Sequence, residues 1–124
     1  MTALIATILY LQINLYRLQE GALFVQESPV ACQFAEMRLE RTSKDFSHTG
    51  LKEDFETLNL PKETVGYENL GRKDGNNFVE NSNRIFQLWK ESTTHNKNLL
   101  RDLDEMCLRT DGNYYVFSGI KYGK

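Results

Sequence analysis

The sequence predicts an α+β domain, with helices leading and a strand hairpin closing the chain. Three observations carry that prediction. Apolar residues recur at helical spacing from Ala3 and stop at Gly21. Ser28-Pro29 has the form of a helix start. Asp111-Gly112 lies between two β-rich runs near the end. Helices early and strands late imply α+β rather than a parallel, doubly wound sheet.

The first helix is expected over residues 3–20. Ile5, Leu9, Ile13 and Tyr16 share one face at 3.6-residue periodicity, and Gly21 supplies the left-handed residue that commonly ends a helix. Residues 1–10 are almost wholly apolar, and between Ala3 and Leu11 only Thr7 interrupts. That run is too short for a bilayer, which needs about 20 apolar residues. It also lacks the basic start and small-residue cleavage site of a signal peptide. It reads as the start of the helix; the alternative reading is the trailing end of an N-terminal anchor or signal region.

Ser28 caps a second helix, Pro29 takes its first position, and it runs to about Ser43. Ala31, Cys32, Ala35 and Leu39 are expected to face inward, and Glu36, Arg38, Glu40 and Arg41 to be mostly solvated. The small inward residues imply close packing on another layer. Residues 42–60 read as irregular. A short extended segment is expected within 64–70, then a polar loop over 71–77. Asn81 or Ser82 is the expected cap of a third helix that ends near Glu91. Ile85, Leu88 and Trp89 form its apolar face, with Phe86 flanking. A short fourth helix is expected over 96–100. In the closing hairpin Met106 and Leu108 alternate with Cys107 and Arg109. Asp111-Gly112 is a two-residue turn signal, and residues 113–118 have the Tyr, Val and Phe content of a strand.

No repeat, low-complexity stretch or linker divides the 124 residues, so they are read as one domain, 1–124. A chain of this size buries roughly two-thirds of the surface it exposes when unfolded. Fifteen basic and 17 acidic residues leave a net charge of −2. No strong field follows to attract nucleic acid or an anionic membrane. No basic run interleaves with aromatics as a nucleic-acid groove needs, so no nucleic-acid partner is expected, and no segment is expected to span a membrane.

Cys32 and Cys107 form neither a C-x-x-C nor a zinc-knuckle spacing. Two separate core thiols are the plainer reading, because a helix face and a strand face offer many non-facing arrangements. The alternative is a disulfide, which needs an oxidising compartment and a Cα separation below about 7 Å. Either way both residues are expected to be buried.

Several local patterns stand in order along the chain. They are Ile13-Asn14-Leu15-Tyr16-Arg17, Ala35-Glu36-Met37-Arg38, Phe46-Ser47-His48, Glu68-Asn69-Leu70 and Trp89-x-x-Ser92-x-x-His95-x-x-x-Leu99, closing on Tyr114-Tyr115-Val116-Phe117. In this order and at these spacings they resemble the CAP superfamily (cysteine-rich secretory, antigen 5 and pathogenesis-related proteins) in its short bacterial, SCP-like form. The resemblance covers about residues 9–118. It implies a three-layer α-β-α sandwich with a small antiparallel sheet and a polar cleft. It implies a secreted or cell-surface setting, where the two cysteines of a helix packed on a sheet could meet.

Carried over by motif, the resemblance makes His48 and His95 the cleft histidines and Glu68 its first acid. The usual second acid falls at Ser92, so the set of four is incomplete. Glu91 is adjacent, but one residue along a helix turns it about 100° away. Ser47 and Asn69 complete the expected cleft. Independently of the resemblance, His48 and His95 are the only histidines. Two neutral imidazoles and a carboxylate form a ligand set for zinc or another divalent metal, and the same set can position a general base. The plain alternative for each histidine is a structural or surface role. For Ser47 and Asn69 it is the satisfaction of backbone groups in loops, and for Trp89 and the aromatic strand it is core packing.

The leading functional reading is an extracellular, non-enzymatic binding or interaction module, with a His/Glu cleft that takes a divalent metal. Its partner would be a protein, lipid or cell-surface ligand. Two alternatives stand beside it: a metal-dependent hydrolase using His48, His95 and Glu68, and lipid or sterol binding between helices.

Overall fold

Residues 2–19 contain neither proline nor glycine, and in the computed structural model, which describes residues 1–123, they form one 18-residue helix, α1 (Thr2–Gln19). Ile5, Ala6, Leu9 and Ile13 enter the core from it. Gly21 ends the helix at φ 84°. There the N–H of Ala22 bonds to Arg17 O at 2.8 Å and the N–H of Gly21 to Leu18 O at 3.2 Å, the paired bonds of a Schellman cap.

Helix α2 (Pro29–Thr42) begins as expected, with the Ser28 hydroxyl accepting the Ala31 N–H at 2.9 Å. Its inward face corrects the sequence reading: Phe34 is fully buried, and Cys32 and Leu39 are only partly so. Arg38, expected in solvent, has an exposure of 0%, because two carboxylates wait for it beneath the helix. The segment read as irregular holds a further helix, α3 (Leu51–Glu56). At six residues it is too short to display a period. It starts where Gly50, at φ 82°, turns the chain.

Strand β1 (Val65–Arg72) leads to α4 (Phe78–Glu91). The cap of α4 is Asn77, whose side chain accepts the Glu80 N–H at 3.1 Å, one turn ahead of the expected Asn81 or Ser82. Asn81 instead turns back to hold the loop before the helix, donating to Asp74 O and Gly75 O. Leu88, expected on the apolar face, is exposed, while Ile85 and Trp89 are buried. The Trp89 indole donates to Leu70 O at 3.0 Å, fastening α4 to β1. Helix α5 (Thr93–Leu99) starts three residues before the expected 96 because Ser92 interrupts α4 in an extended conformation and caps the next helix itself.

Strands β2 (Glu105–Thr110) and β3 (Tyr114–Lys121) form the expected hairpin. Its turn falls one residue later than predicted. Asp111 is the paired residue, its carboxylate accepting the N–H groups of Asn113 and Tyr114, and Gly112 (φ 102°) and Asn113 make the turn. The sheet is antiparallel in the order β1-β3-β2.

Alternation along β3 builds three layers. Tyr115 and Phe117 pack with α1 and α4 on one face. Val116 and Ile120 pack with Ala31 and Ala35 of α2 on the other. The fold is thus α+β in a three-layer sandwich, as the sequence predicted. With the small side chains of Ala31 and Ala35 flanking Cys32 on the inner side of α2, the Cα atoms of Cys32 and Cys107 lie 5.0 Å apart and the two residues form a disulfide rather than separate thiols. Cys107 is buried; Cys32 is only partly so.

The residues of the Ile13–Arg17 motif act as fasteners. Asn14 exchanges two hydrogen bonds with the Val25 backbone. Tyr16 donates to Asn96 at 2.7 Å. Arg17, 1% exposed, donates to Leu23 O, Leu99 O and Arg101 O. The Leu99 carbonyl is at the C-terminal end of α5, where the helix dipole is negative, and Arg101 follows two residues on. Among the described residues no helix is long and apolar enough to cross a membrane.

Candidate functional site

The site is built around a buried carboxylate. Glu68, on β1, has a fully buried side chain. Burial of a lone carboxylate is costly unless it is paired, and Arg38 of α2 pairs it bidentately, Nε to Oε1 at 2.7 Å and Nη2 to Oε2 at 3.2 Å. The same guanidinium donates to Asp54 of α3 at 2.8 Å and to the carbonyls of Thr49 and Ser47. Asp54 is also gripped by Arg41 through both oxygens. Hydrogen bonds from Arg41, opposed by burial and reinforced by Arg38, hold the Asp54 carboxyl below the usual carboxylate range. One arginine therefore fixes α2, α3, β1 and the loop carrying Ser47 and His48.

The structure brings His48 onto Glu68: Nδ1 lies 2.8 Å from Oε2, while 56% of the imidazole side chain remains exposed. His95 enters from the first turn of α5. Its Nδ1 lies 2.8 Å from the Ser92 hydroxyl, which also accepts the His95 N–H. Asn69 donates to His95 O at 2.9 Å. Asn98 links Asn69 Oδ1 and Glu68 O. Ser47 contributes its carbonyl to Arg38, and its hydroxyl accepts the Thr49 N–H. All six predicted site residues thus belong to one hydrogen-bonded network. Burial, and after it the nearby His48, push the His95 imidazole below its ordinary pKa, which favours the neutral ring.

The protein hydrogen bonds of both imidazoles run through Nδ1; among the described residues neither Nε2 has a protein partner. Glu68 differs, because both its oxygens are engaged. The only trio of His, Cys, Asp or Glu ligand atoms lying within 4.8 Å of one another among the described residues is Glu27, Cys32 and Cys107, and the disulfide leaves neither sulfur as a thiolate. Each imidazole is oriented by the group on its Nδ1, Glu68 for His48 and Ser92 for His95.

Sequence reasoning missed Arg38, Asp54 and Asn98. For Arg38 a signal existed: it follows Ala31 and Ala35 at helical spacing, so an arginine stood on the inward face. Asp54 and Asn98 carried no such signal.

Comparison with solved structures agrees with this architecture. The chain is similar to a cysteine-rich secretory protein of Staphylococcus aureus, at 18% identity and a TM-score of 0.80 over 96% of this chain and 39% of that one. It is similar to an extracellular protein containing an SCP domain from Bacillus anthracis, at 15% identity and 0.76 over 94% of this chain and 40% of that one. It is also similar to an outer surface protein of Borrelia burgdorferi, at 16% identity and 0.78 over 99% and 96% of the two chains. The chain spans about two fifths of the length of the first two. No family model and no curated protein sequence matches this one. The fold is that of the CAP, or SCP, domain.

Proposed function

We propose that this CAP-type domain works outside the cytoplasm as a non-enzymatic binding module, and that His48 and His95 hold a divalent metal, zinc in the first instance. The observation that carries the reading is the shared design of the two imidazoles: each is tied down through Nδ1 and offers Nε2. Glu68 acts as a positioning residue, fixed in place by Arg38 so that it accepts the His48 Nδ1–H and directs the lone pair of Nε2 outward. Ser92 and Asn69 do the same for the ring and backbone of His95. A metal held by two imidazoles keeps coordination positions for water and for an oxygen donor of a protein, lipid or cell-surface partner. The extracellular setting is supported by the secretory, extracellular and outer-surface descriptions of the similar structures and by the disulfide, which belongs to oxidising compartments. The lipid reading has less support. The cavity among Phe34, Leu51, Lys52, Phe55 and Gly66 measures about 220 Å³ and has a lysine in its wall, and that volume is below the ~300–1,000 Å³ of common ligand pockets.

Zinc titration against a chromophoric chelator tests the proposal. Saturable binding at pH 7.5 that is lost in both His48→Ala and His95→Ala, with unchanged far-ultraviolet circular dichroism, is the expected result. Binding that survives both substitutions, or none at roughly millimolar zinc, overturns it. Zinc-dependent turnover of ester or peptide probes, abolished by the same substitutions, would put the hydrolase reading in its place.

A further inference from the structure

Helix α1 carries two apolar faces where its packing uses one. Ile5, Ala6, Leu9 and Ile13 point into the core. Leu4, Ile8, Leu11, Leu15 and Leu18 form a second stripe, and at about 100° per residue the two sets are centred on opposite sides of the helix. Leu4, Leu11, Leu15 and Leu18 are 57%, 53%, 59% and 53% exposed, and Ile8 is partly buried. Successive members are 4, 3, 4 and 3 residues apart. That is the a/d repeat of a coiled-coil seam, not a scatter of single exposed leucines.

The flanks of the stripe indicate what covers it. Ala3, Thr7, Gln12 and Gln19 border it, and before Arg17, which is turned into the core, residues 1–16 carry no charged side chain. Helices that lie on a bilayer surface set Lys and Arg beside the apolar stripe, and α1 has none there. Seams that select a different helix as partner use charged flanking positions for the choice, and these are missing as well. An uncharged aliphatic seam is complementary to itself in charge and in chemistry. It is also centred on Leu11, so a two-fold axis at that residue matches its two halves.

We propose that two copies of this chain associate through α1, antiparallel, with Leu11 against its own equivalent, Leu4 against the partner's Leu18 and Ile8 against the partner's Leu15. Such a contact is isologous and closes on itself. The stripe offers on the order of 400 Å² of aliphatic surface per copy, about half of the ~800 Å² per partner in a standard interface. The association is therefore weak, with a dissociation constant in the micromolar range.

Sedimentation velocity from roughly 1 to 500 µM tests this. The expected result is a rise from monomer to dimer mass across the range. Leu11→Lys and Leu15→Lys each weaken the association on the order of 100-fold, since every copy would bury an unpaired ammonium. Val79→Lys, at an exposed position on α4, leaves it unchanged. Thermal melts confirm that the lysine variants fold, their sites being on the solvent side of α1. A chain that stays monomeric throughout, or a dimer that persists in both lysine variants, overturns the proposal. So does binding of the monomer to phosphatidylcholine vesicles that Leu11→Lys abolishes, which would assign the face to lipid.

Discussion

The two faces of the sheet are held by different forces. On the α1 and α4 face, 13 buried side chains form one apolar cluster, centred on Leu9, Ile13, Trp89 and Phe117. On the α2 face the cluster has six, two of them alanines and one the half-cystine Cys107. Apolar burial there is thin, and two other ties supplement it. The Cys32–Cys107 bond clamps the first turn of α2 to the hairpin. The Arg38–Glu68 pair clamps its later turns to β1. The strand register aligns the two clamps, because Ser118 of β3 pairs with Glu68 on one side and with Cys107 on the other. The comparison teaches why the candidate site lies where it does. Glu68 stands buried beside His48 on the face where charge pairing and a covalent bond supplement a thin apolar layer.

Removing the covalent clamp should have the largest effect. The bond closes a loop of 75 residues, and chain-entropy reasoning gives about 4 kcal/mol of stabilisation for a loop of that length. Cys32→Ala with Cys107→Ala should lose about that much in denaturant unfolding, and reductant should lower the melting temperature of the parent protein but not of the variant. A loss below about 1 kcal/mol would mean that packing and the ion pair hold α2 unaided.

The ionic clamp ranks next. Arg38→Met strands Glu68, and breaking a buried pair costs about 3–5 kcal/mol. The low end is expected, since Arg41 still neutralises Asp54. The effect should depend on pH. The depressed folded-state pKa of Asp54 means that its contribution is present above the unfolded value near ~3.9 and is lost as pH falls through the lower folded value. The parent protein should therefore lose stability below about pH 4, and Arg38→Met should lose less of it there. Ile13→Val, on the apolar face, should cost about 1 kcal/mol at pH 7 and pH 4 alike. If the Arg38 and Ile13 variants show the same pH dependence, the contrast between the faces fails.

The smallest effect concerns His95. Its folded-state pKa is lowered by burial and then by His48, so the unfolded chain takes up its proton first. Stability should be flat above the unfolded value of about 6.5, and should fall as pH drops from there through the folded value. His95→Gln should remove that slope, as read from melting temperatures between roughly pH 7.5 and 5. A slope that persists unchanged in the variant would separate His95 from the network described around it.

Much of this molecule follows from local chemistry. Ser28-Pro29, Gly21 and the Asp111-Gly112 pair set helix and hairpin boundaries to within a residue, because caps and turns are decided by neighbours in the chain. The ordered motifs around Asn14, Arg38, His48, Glu68 and His95 pointed to the CAP-type sandwich by their resemblance to that family, although the contacts these residues make are long-range. What the sequence could not decide is which side chains meet across the layers. Arg38 looked like one more charge on a solvated helix until Glu68, 30 residues on, proved to lie beneath it. Cys32 and Cys107 offered two readings until the register of β2 against β3 and the closeness of α2 brought them together. Those outcomes depend on strand register and helix placement, which are set by all the packing contacts at once. Their partners lie tens of residues away, beyond the reach of any periodicity in the chain.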